Sequence, residues 1–332
     1  MPKILVTGGA GYIGSNTTQL LRRHGFDVVV IDDLSRGHRH NIQDVPFHQV
    51  TLSDTKAVAA VLRDEGCEAV IHFAAYIAVG ESTRQPELYF ANNVGGTISL
   101  LSAMVETGVK HLVFSSTAAV YGMPEIVPIP EESAISPLSP YGESKVMVET
   151  MLRWMDQFRG LKSVVLRYFN ACGADPESAL GEEHDPETHL IPLLFRAIET
   201  GQPITLFGDD YPTPDGTCIR DYVHVVDLAE AHVLAVRHLL GGGGSDAFNV
   251  GTGVGQSVLE VVRSVEKVTG KPVPWVKGPR RDGDPAVLVA NSNRLKKTLG
   301  WAPRYPELDD VVRTAWQFDQ RSRGPLKLCP SN

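Results

Sequence analysis

Tyr141 and Lys145 stand four residues apart in the stretch Tyr141-Gly142-Glu143-Ser144-Lys145. On a helix that spacing puts both side chains on one face. A free phenol, with a pKa of about 10, is a poor base at neutral pH. An ammonium one turn away favours the phenolate and moves the phenol toward the range a general base needs. A hydroxyl within reach of a substrate would complete the group. Ser115-Ser116-Thr117 offers one at the end of the apolar run His111–Ser115. A Tyr/Lys pair also arises on surface helices, where the lysine stem lies along the protein. Its meaning depends on what accompanies it.

What accompanies it is Thr7-Gly8-Gly9-Ala10-Gly11-Tyr12-Ile13-Gly14. Gly8, Gly11 and Gly14 are three apart, follow a short apolar run and open a helix, the setting that a dinucleotide fingerprint requires. The first glycine allows a tight turn, the second lets backbone approach a pyrophosphate, and the third lets helix and strand pack closely. Asp32 lies 18 residues past Gly14, where a carboxylate accepts ribose hydroxyls. It would repel a 2′-phosphate, so NAD is expected over NADP, although Arg36 and Arg39 follow and could soften that preference. A proton-transfer group beside a dinucleotide implies hydride chemistry, and the positive nicotinamide would join the Lys145 ammonium in favouring the Tyr141 phenolate.

These residues need a frame, and the first half supplies one by alternating strand and helix. Strands are expected at Lys3–Thr7, Asp27–Ile31, Ala69–Phe73, His111–Ser115 and Ser163–Arg167. Helices are expected at Gly11–Arg23, Lys56–Glu65, Glu87–Thr107 and Tyr141–Phe158. The strands read as continuous apolar runs, as strands buried on both faces do. The fold class is therefore α/β, an NAD-binding Rossmann doubly wound parallel sheet over 1–170. Beyond it, proline and glycine punctuate shorter elements, and a smaller α+β substrate-binding lobe is expected over 171–332. Val226–Leu240 reads as an amphipathic helix. Phe248-Asn249-Val250 reads as a strand returning to the large sheet, in a segment around 220–250.

Composition excludes other classes. A chain of 332 residues, 42% hydrophobic, buries about three quarters of its unfolded surface. A net charge of −8 without a basic block argues against a nucleic-acid surface. No apolar run approaches the ~20 residues of a membrane span. Ile4-Leu5-Val6 is too short for a targeting core, so a cytoplasmic protein is expected. Cys67, Cys172, Cys218 and Cys329 lack metal-ligand spacing and read as free thiols, and no metal is expected.

The glycine motif, Ser115-Ser116-Thr117 and the Tyr141/Lys145 pair together resemble the extended short-chain dehydrogenase/reductase superfamily. Other segments are similar to the UDP-glucose 4-epimerase family within it. These are His72-Phe73-Ala74-Ala75, Val79-Gly80-Glu81-Ser82, Asn92-Asn93-Val94, Leu166-Arg167-Tyr168-Phe169-Asn170 and Phe207-Gly208-Asp209-Asp210-Tyr211-Pro212-Thr213. Asp215-Gly216-Thr217-Cys218-Ile219-Arg220-Asp221-Tyr222-Val223-His224-Val225 and Pro279-Arg280-Arg281-Asp282-Gly283-Asp284 belong with them. The similarity runs from Lys3 to about Trp316, and its second-half segments discriminate this family from its relatives.

The resemblance implies roles. Thr117, Tyr141 and Lys145 would carry catalysis, with Lys145 on the nicotinamide ribose. Tyr12 and Ile13 would lie along the pyrophosphate, and Asp33, Leu34, Ser35, Arg36 and Gly37 would contact the cofactor near Asp32. Thr51, Leu52, Phe73, Ala74, Ala75, Ile77, Asn92 and Phe169 would complete that site. Asn170, His189, Leu190, Thr205, Phe207, Arg220, Tyr222, Arg281, Asp284 and Leu288 would bind the nucleotide sugar. Arg220 and Arg281 also make independent sense as diphosphate ligands, because a guanidinium fork matches phosphate oxygens. Four positions depart from the family pattern. Ile77 replaces a lysine, Thr51 an aspartate, Thr117 a serine and His189 an asparagine.

The implied reaction is isomerisation of a UDP-hexose at C4. Tyr141 takes the hydroxyl proton, hydride passes to tightly bound NAD, and both return to the other face of a 4-keto sugar. Leu288 is bulky where the sugar's C2 substituent is expected, which favours UDP-glucose and UDP-galactose. A homodimer through the two long helices is implied too. Other UDP-sugar 4-epimerases (pentose, uronate or N-acetylhexosamine) and a non-catalytic dinucleotide-sensing protein stay open as alternatives.

Overall fold

The computed structural model describes residues 1–281 and 283–322. Asp282, Cys329 and the end of the expected second lobe lie outside these residues. The strands are β1 Lys3–Thr7, β2 Asp27–Asp32, β3 Phe47–Gln49, β4 Ala69–His72, β5 His111–Thr117, β6 Lys162–Tyr168 and β7 Asn170–Cys172. They continue with β8 Ile204–Phe207, β9 Ile219–His224, β10 Asp246–Val250, β11 Gly255–Ser257, β12 Trp275–Gly278 and β13 Val287–Leu288. The helices are α1 Tyr12–Arg23, α2 Thr55–Asp64, α3 Val79–Arg84, α4 Pro86–Tyr89, α5 Gly96–Thr107 and α6 Pro140–Arg159. After them come α7 Leu190–Thr200, α8 Val225–Leu240, α9 Val258–Thr269, α10 Asn293–Leu299 and α11 Leu308–Ser322.

Seven strands form one parallel sheet in the order β3-β2-β1-β4-β5-β6-β10. Side chains alternate across it. Ile4, Val6, Val30, Ile71, Val113 and Leu166 join one core with α1 and α8. Leu5, Val29, Ile31, Val70, Phe114 and Val165 join the other with α2, α5 and α6. This double burial explains the unbroken apolar runs. The order reverses direction at β1 and β4, whose carboxyl ends flank the crevice where open α/β sheets bind ligands.

Two expected helices differ. The run Glu87–Thr107 is not one helix: α4 passes through a wide π turn, Phe90–Gly95, into α5. Inside that turn Asn93 gives its carboxamide to Tyr76 N, Tyr76 O and Ser144 Oγ at 2.8–3.1 Å. Helices widen in this way where a side chain is drawn out to serve a site. Helix α8 is not amphipathic either. Val225 to Ala229, Ala231 to Val233, Ala235, Val236 and Leu239 are all buried, because it is wedged between α1 and the sheet.

Residues after 171 build a second core around Leu194, Phe195, Val261, Val265, Val311 and Val312. A small sheet sets β9 between β11 (antiparallel) and β13 (parallel), with β7 also parallel to β9. Besides β10 and α8, the segment of α10 and Trp301 rejoins the first core. Among the described residues no helix is long and apolar enough to cross a membrane.

Candidate active site

Ser139 caps α6 by accepting from Gly142 N at 3.1 Å, and Pro140 occupies its first turn. Tyr141 and Lys145 therefore fall at the helix start, packed by the carboxyl end of β5, and are buried. The three hydroxyls there have different partners. Ser115 Oγ bonds the Tyr168 hydroxyl, and Ser116 Oγ donates to Glu149 Oε1 at 2.6 Å. Thr117 is the one that hydrogen-bonds Tyr141. Lys145 Nζ donates to Ser115 O at 2.9 Å and lies 5.9 Å from the Tyr141 ring centroid.

The electrostatics of the protein alone show which of the two expected positive charges the phenol depends on. Burial pushes the Tyr141 phenol up to about 12, against the opposing bond from Thr117. Burial likewise pushes Lys145 down to about 7, with Glu149 opposing. In the protein alone the lysine does not bring the phenol toward neutrality, because burial penalises both charged forms. The group holds an acid. Lowering the phenol needs a further positive charge, which the ring of an oxidised nicotinamide carries.

The glycine loop fits a dinucleotide. Gly8 has φ +72°, and a Cβ there would lie 2.5 Å from Ala74 N. At Gly14 a Cβ would lie 2.2 Å from Gly8 O. Gly11 differs: its Cβ would meet only Gly8 O, at an ordinary 3.4 Å. Nothing inside the chain demands glycine at 11, whereas close approach of a ligand does. Gly11 also caps α1 without a side-chain hydrogen bond, leaving the helix's positive end to an anion. Asp32 ends β2 with its carboxylate held by Ala10 N at 3.0 Å and Leu34 N at 2.8 Å. Burial raises its pKa, and those two bonds lower it. Arg36 pairs with Glu81 at 2.9 Å, and Arg39 lies 4.7 Å over the Phe47 ring. Both arginines that could have served a 2′-phosphate are thus engaged.

Other expected contacts are distributed unevenly. The Tyr12 hydroxyl turns inward and donates to Gly173 O at 2.6 Å, so this residue offers the phosphate site its backbone. Leu34 has a positive φ, and Ser35 N donates to Asp33 Oδ1 at 2.9 Å, forming a tight turn before Gly37. Thr51 and Ile77 are exposed, whereas Leu52 packs on the second face of the sheet. Phe73 packs tilted against His232, with ring centroids 4.6 Å apart, beside half-buried Ala74 and Ala75. Asn92 donates to Asn93 Oδ1 at 3.0 Å within the π turn.

A buried relay escaped the sequence reading. Thr97 Oγ1 donates to Asn93 O at 2.6 Å, so it accepts from His72 Nε2 at 2.9 Å. That fixes His72 Nδ1 as the acceptor from Thr7 Oγ1 at 2.7 Å. Burial, then the charge of Lys145, pushes His72 down to about 3, so it stays neutral. Asn93 continues to Ser144, whose Oγ donates to Tyr141 O at 2.7 Å. The relay joins the end of β1 to the start of α6 through neutral groups. Glu149 was also missed. It takes a bidentate bond from Arg167 besides Ser116, and its one signal was its place one turn beyond Lys145.

On the sugar side, Arg220 pairs with Asp284, and β9 sets Arg220 beside Leu288 of β13. Tyr222 is buried in register with exposed Asn170. Arg281 lies 4.5 Å over the exposed ring of Phe207, while Thr205 sits two residues earlier in β8. Phe169 and Leu288 pack in one cluster with Ala118, next to Thr117. Leu190 opens α7 behind His189. His189 Nδ1 is 2.9 Å from Glu182 and 2.8 Å from Glu187. Burial alone would lower its pKa, but Glu182 and then Glu187 raise it to about 10. The His189 side chain is still 39% exposed, with Nδ1 turned toward the two carboxylates. The Glu182, His184, Glu187, His189 group carried no cysteine signal and was not anticipated.

Comparison with known proteins agrees with this geometry. The family model "NAD dependent epimerase/dehydratase family" matches residues 4–251. A UDP-glucose 4-epimerase of Lactobacillus helveticus is 49% identical over 318 residues, covering 95% of this chain and 96% of that protein. The crystal structure of UDP-glucose 4-epimerase from Brucella ovis in complex with NAD matches with TM-score 0.93 and 46% identity, over 96% of this chain and 98% of that one. The enzyme from Bifidobacterium longum in complex with NAD+ and UDP matches with TM-score 0.90 and 36% identity, over 97% and 99%. The chain belongs to the NAD dependent epimerase/dehydratase family, and its near relatives there are UDP-glucose 4-epimerases.

Proposed function

We propose that this chain is an isomerase that interconverts UDP-galactose and UDP-glucose by inverting C4. The observation that carries the reading is buried Tyr141, hydrogen-bonded to Thr117 and one turn from Lys145, in a fold with a loop shaped for a pyrophosphate. NAD, when bound, supplies the reversible hydride acceptor. Tyr141 takes the C4 hydroxyl proton and returns it to the opposite face after the 4-keto sugar turns. Thr117 orients the phenol and the sugar hydroxyl. Lys145 holds the nicotinamide ribose. Arg220 and Arg281 meet the diphosphate, Asn170, Leu190, Tyr222 and Asp284 frame the nucleotide sugar, and Phe207 covers the uracil. Binding energy at UDP, remote from the reacting carbon, retains the ketone.

Leu288, which packs with Phe169, would fill the space an N-acetyl group needs. Unmodified hexoses are therefore the preferred substrates. A panel of UDP-galactose, UDP-N-acetylgalactosamine, UDP-arabinose and UDP-galacturonate tests this. UDP-galactose should turn over fastest, and equal or faster turnover of another sugar would overturn the assignment.

Exposed apolar side chains on α5 and α6 support a homodimer: Ile98, Val105, Met147, Trp154 and Phe158. Light scattering should give twice the chain mass, and a monomer at micromolar concentration would refute it. Cytoplasmic residence is part of the same reading.

A further inference from the structure

Glu182, His184, Glu187 and His189 lie in the irregular segment between β7 and α7, and one ligand atom from each lies within 4.8 Å of the others. We infer that this group is a structural site for a divalent transition-metal ion of the zinc type.

His189 Nδ1 is 2.9 Å from Glu182 Oε1 and 2.8 Å from Glu187 Oε1. His184 Nδ1 is 3.6 Å from Glu182 Oε1 and 3.5 Å from Glu187 Oε2. Four donors about 2.0–2.2 Å from one tetrahedral ion stand ~3.4 Å apart. These four separations bracket that value, and all four donor atoms lie within 4.8 Å of one another. A cage of carboxylates around a protonated His189 explains His189 alone. It leaves His184 Nδ1 buried without a well-formed hydrogen bond, 3.5 Å from the nearer carboxylate oxygen and placed to share an ion with both carboxylates. Such orphan nitrogens are costly and rare.

The donor set identifies the class of ion. Two imidazole nitrogens with two carboxylate oxygens suit zinc and its neighbours, whereas magnesium and calcium take oxygen shells. Four protein ligands close the coordination sphere, which marks a structural site without an open position for substrate. The ion would replace the proton on His189 Nδ1, as metal binding to histidine requires. Its place in the fold gives it a task. Tyr12, at the start of α1, donates to Gly173 O at one end of this segment, and its ring meets His184 edge-on at 6.2 Å. His189 caps α7 at the other end. A metal would tie the segment to both helices.

The test is titration of the full-length, chelator-treated protein with Zn2+ alone, followed by calorimetry. Wild type should bind one equivalent per chain, and His184→Ala should bind at least ~100-fold more weakly, beyond the usual loss of an outer-sphere partner. Glu182→Gln, which keeps the side-chain volume, should weaken binding in the same direction. Bound NAD content reports that each variant is folded. Co2+ in place of Zn2+ should give the intense visible absorption of a four-coordinate site in wild type only. Zinc uptake that is weak in wild type, or equal in wild type and both folded variants, would overturn the site and leave adventitious binding to surface histidines.

Discussion

Tyr141, Thr117 and Lys145 are buried and held by neutral partners, whereas Arg220 and Arg281 on the sugar side are held by Asp284 and by the ring of Phe207. The first group sits at the ends of β5 and α6, elements locked into two hydrophobic cores. The second sits on β9 and on loops of the smaller core. The contrast separates two physical tasks. A proton-transfer group must be rigid and dry, so its partners leave its charge to be set by what binds. If Arg220 and Arg281 meet a diphosphate, as proposed, they must carry positive charge in the free protein, where Asp284 and the Phe207 ring hold it.

The largest effect should come from the rigid group. Tyr141→Phe removes the proton carrier and should lower kcat ~1000-fold or more, within the range of general acid–base catalysis. Bound NAD and the dissociation constant of UDP should stay near wild type. Turnover with cofactor content measures both, and loss of NAD in this variant would dissolve the separation. On the other side, Arg220→Ala should act on binding. Losing charge-assisted hydrogen bonds of about 1.5–3 kcal/mol raises KM about 10- to 150-fold, with a smaller change in kcat. A kcat loss as large as that of Tyr141→Phe would show that Arg220 belongs to the reaction centre.

Leu288 lies where the two regions meet. Leu288→Ala should raise kcat/KM for UDP-N-acetylglucosamine about tenfold relative to UDP-glucose, the scale of one or two methylenes in an apolar pocket. An unchanged ratio would place the C2 substituent elsewhere.

The smallest effect is a proton-linked one in the rigid half. Burial pushes His232 down to about 4. A folded pKa below the unfolded value of about 6.5 means that the unfolded chain takes up a proton the native chain refuses. The associated stability is present above pH ~6.5 and is lost as pH falls toward 4, by up to ~1.4 kcal/mol per pH unit. His72 and His224 act in the same direction. Asp32, Asp221 and Asp227, raised by burial, act in the opposite one. The difference between wild type and His232→Gln cancels these other groups. Stability of the variant should depend on pH less steeply between 6.5 and 4, and identical slopes would show that His232 titrates freely.

The same two regions differ in how much the sequence reveals. Gly8 and Gly14 were legible because their constraint is local and steric, and Asp32 because its spacing follows from one strand–helix–strand unit. The Tyr141/Lys145 pair was legible from helical spacing. Which hydroxyl faces the phenol was not, since Ser115 and Ser116 are distinguished from Thr117 only by Tyr168 and Glu149 across the sheet and helix. The π turn was hidden for a similar reason, because Asn93 leaves the helical ladder to reach Tyr76 and Ser144. Helix α8 read as amphipathic because its period does not report that α1 covers its outer face. In the second half, motif resemblance named Arg220 and Asp284, but only the structure pairs them. The Glu182–His189 group depends on an irregular loop, for which sequence periodicity carries no signal.

The most direct test of the central claim is turnover of purified protein on UDP-galactose with no nicotinamide added. UDP-glucose would be quantified after the protein is removed. Wild type should yield UDP-glucose, and Tyr141→Phe none above background. No UDP-glucose from wild type, with or without added NAD, would contradict it.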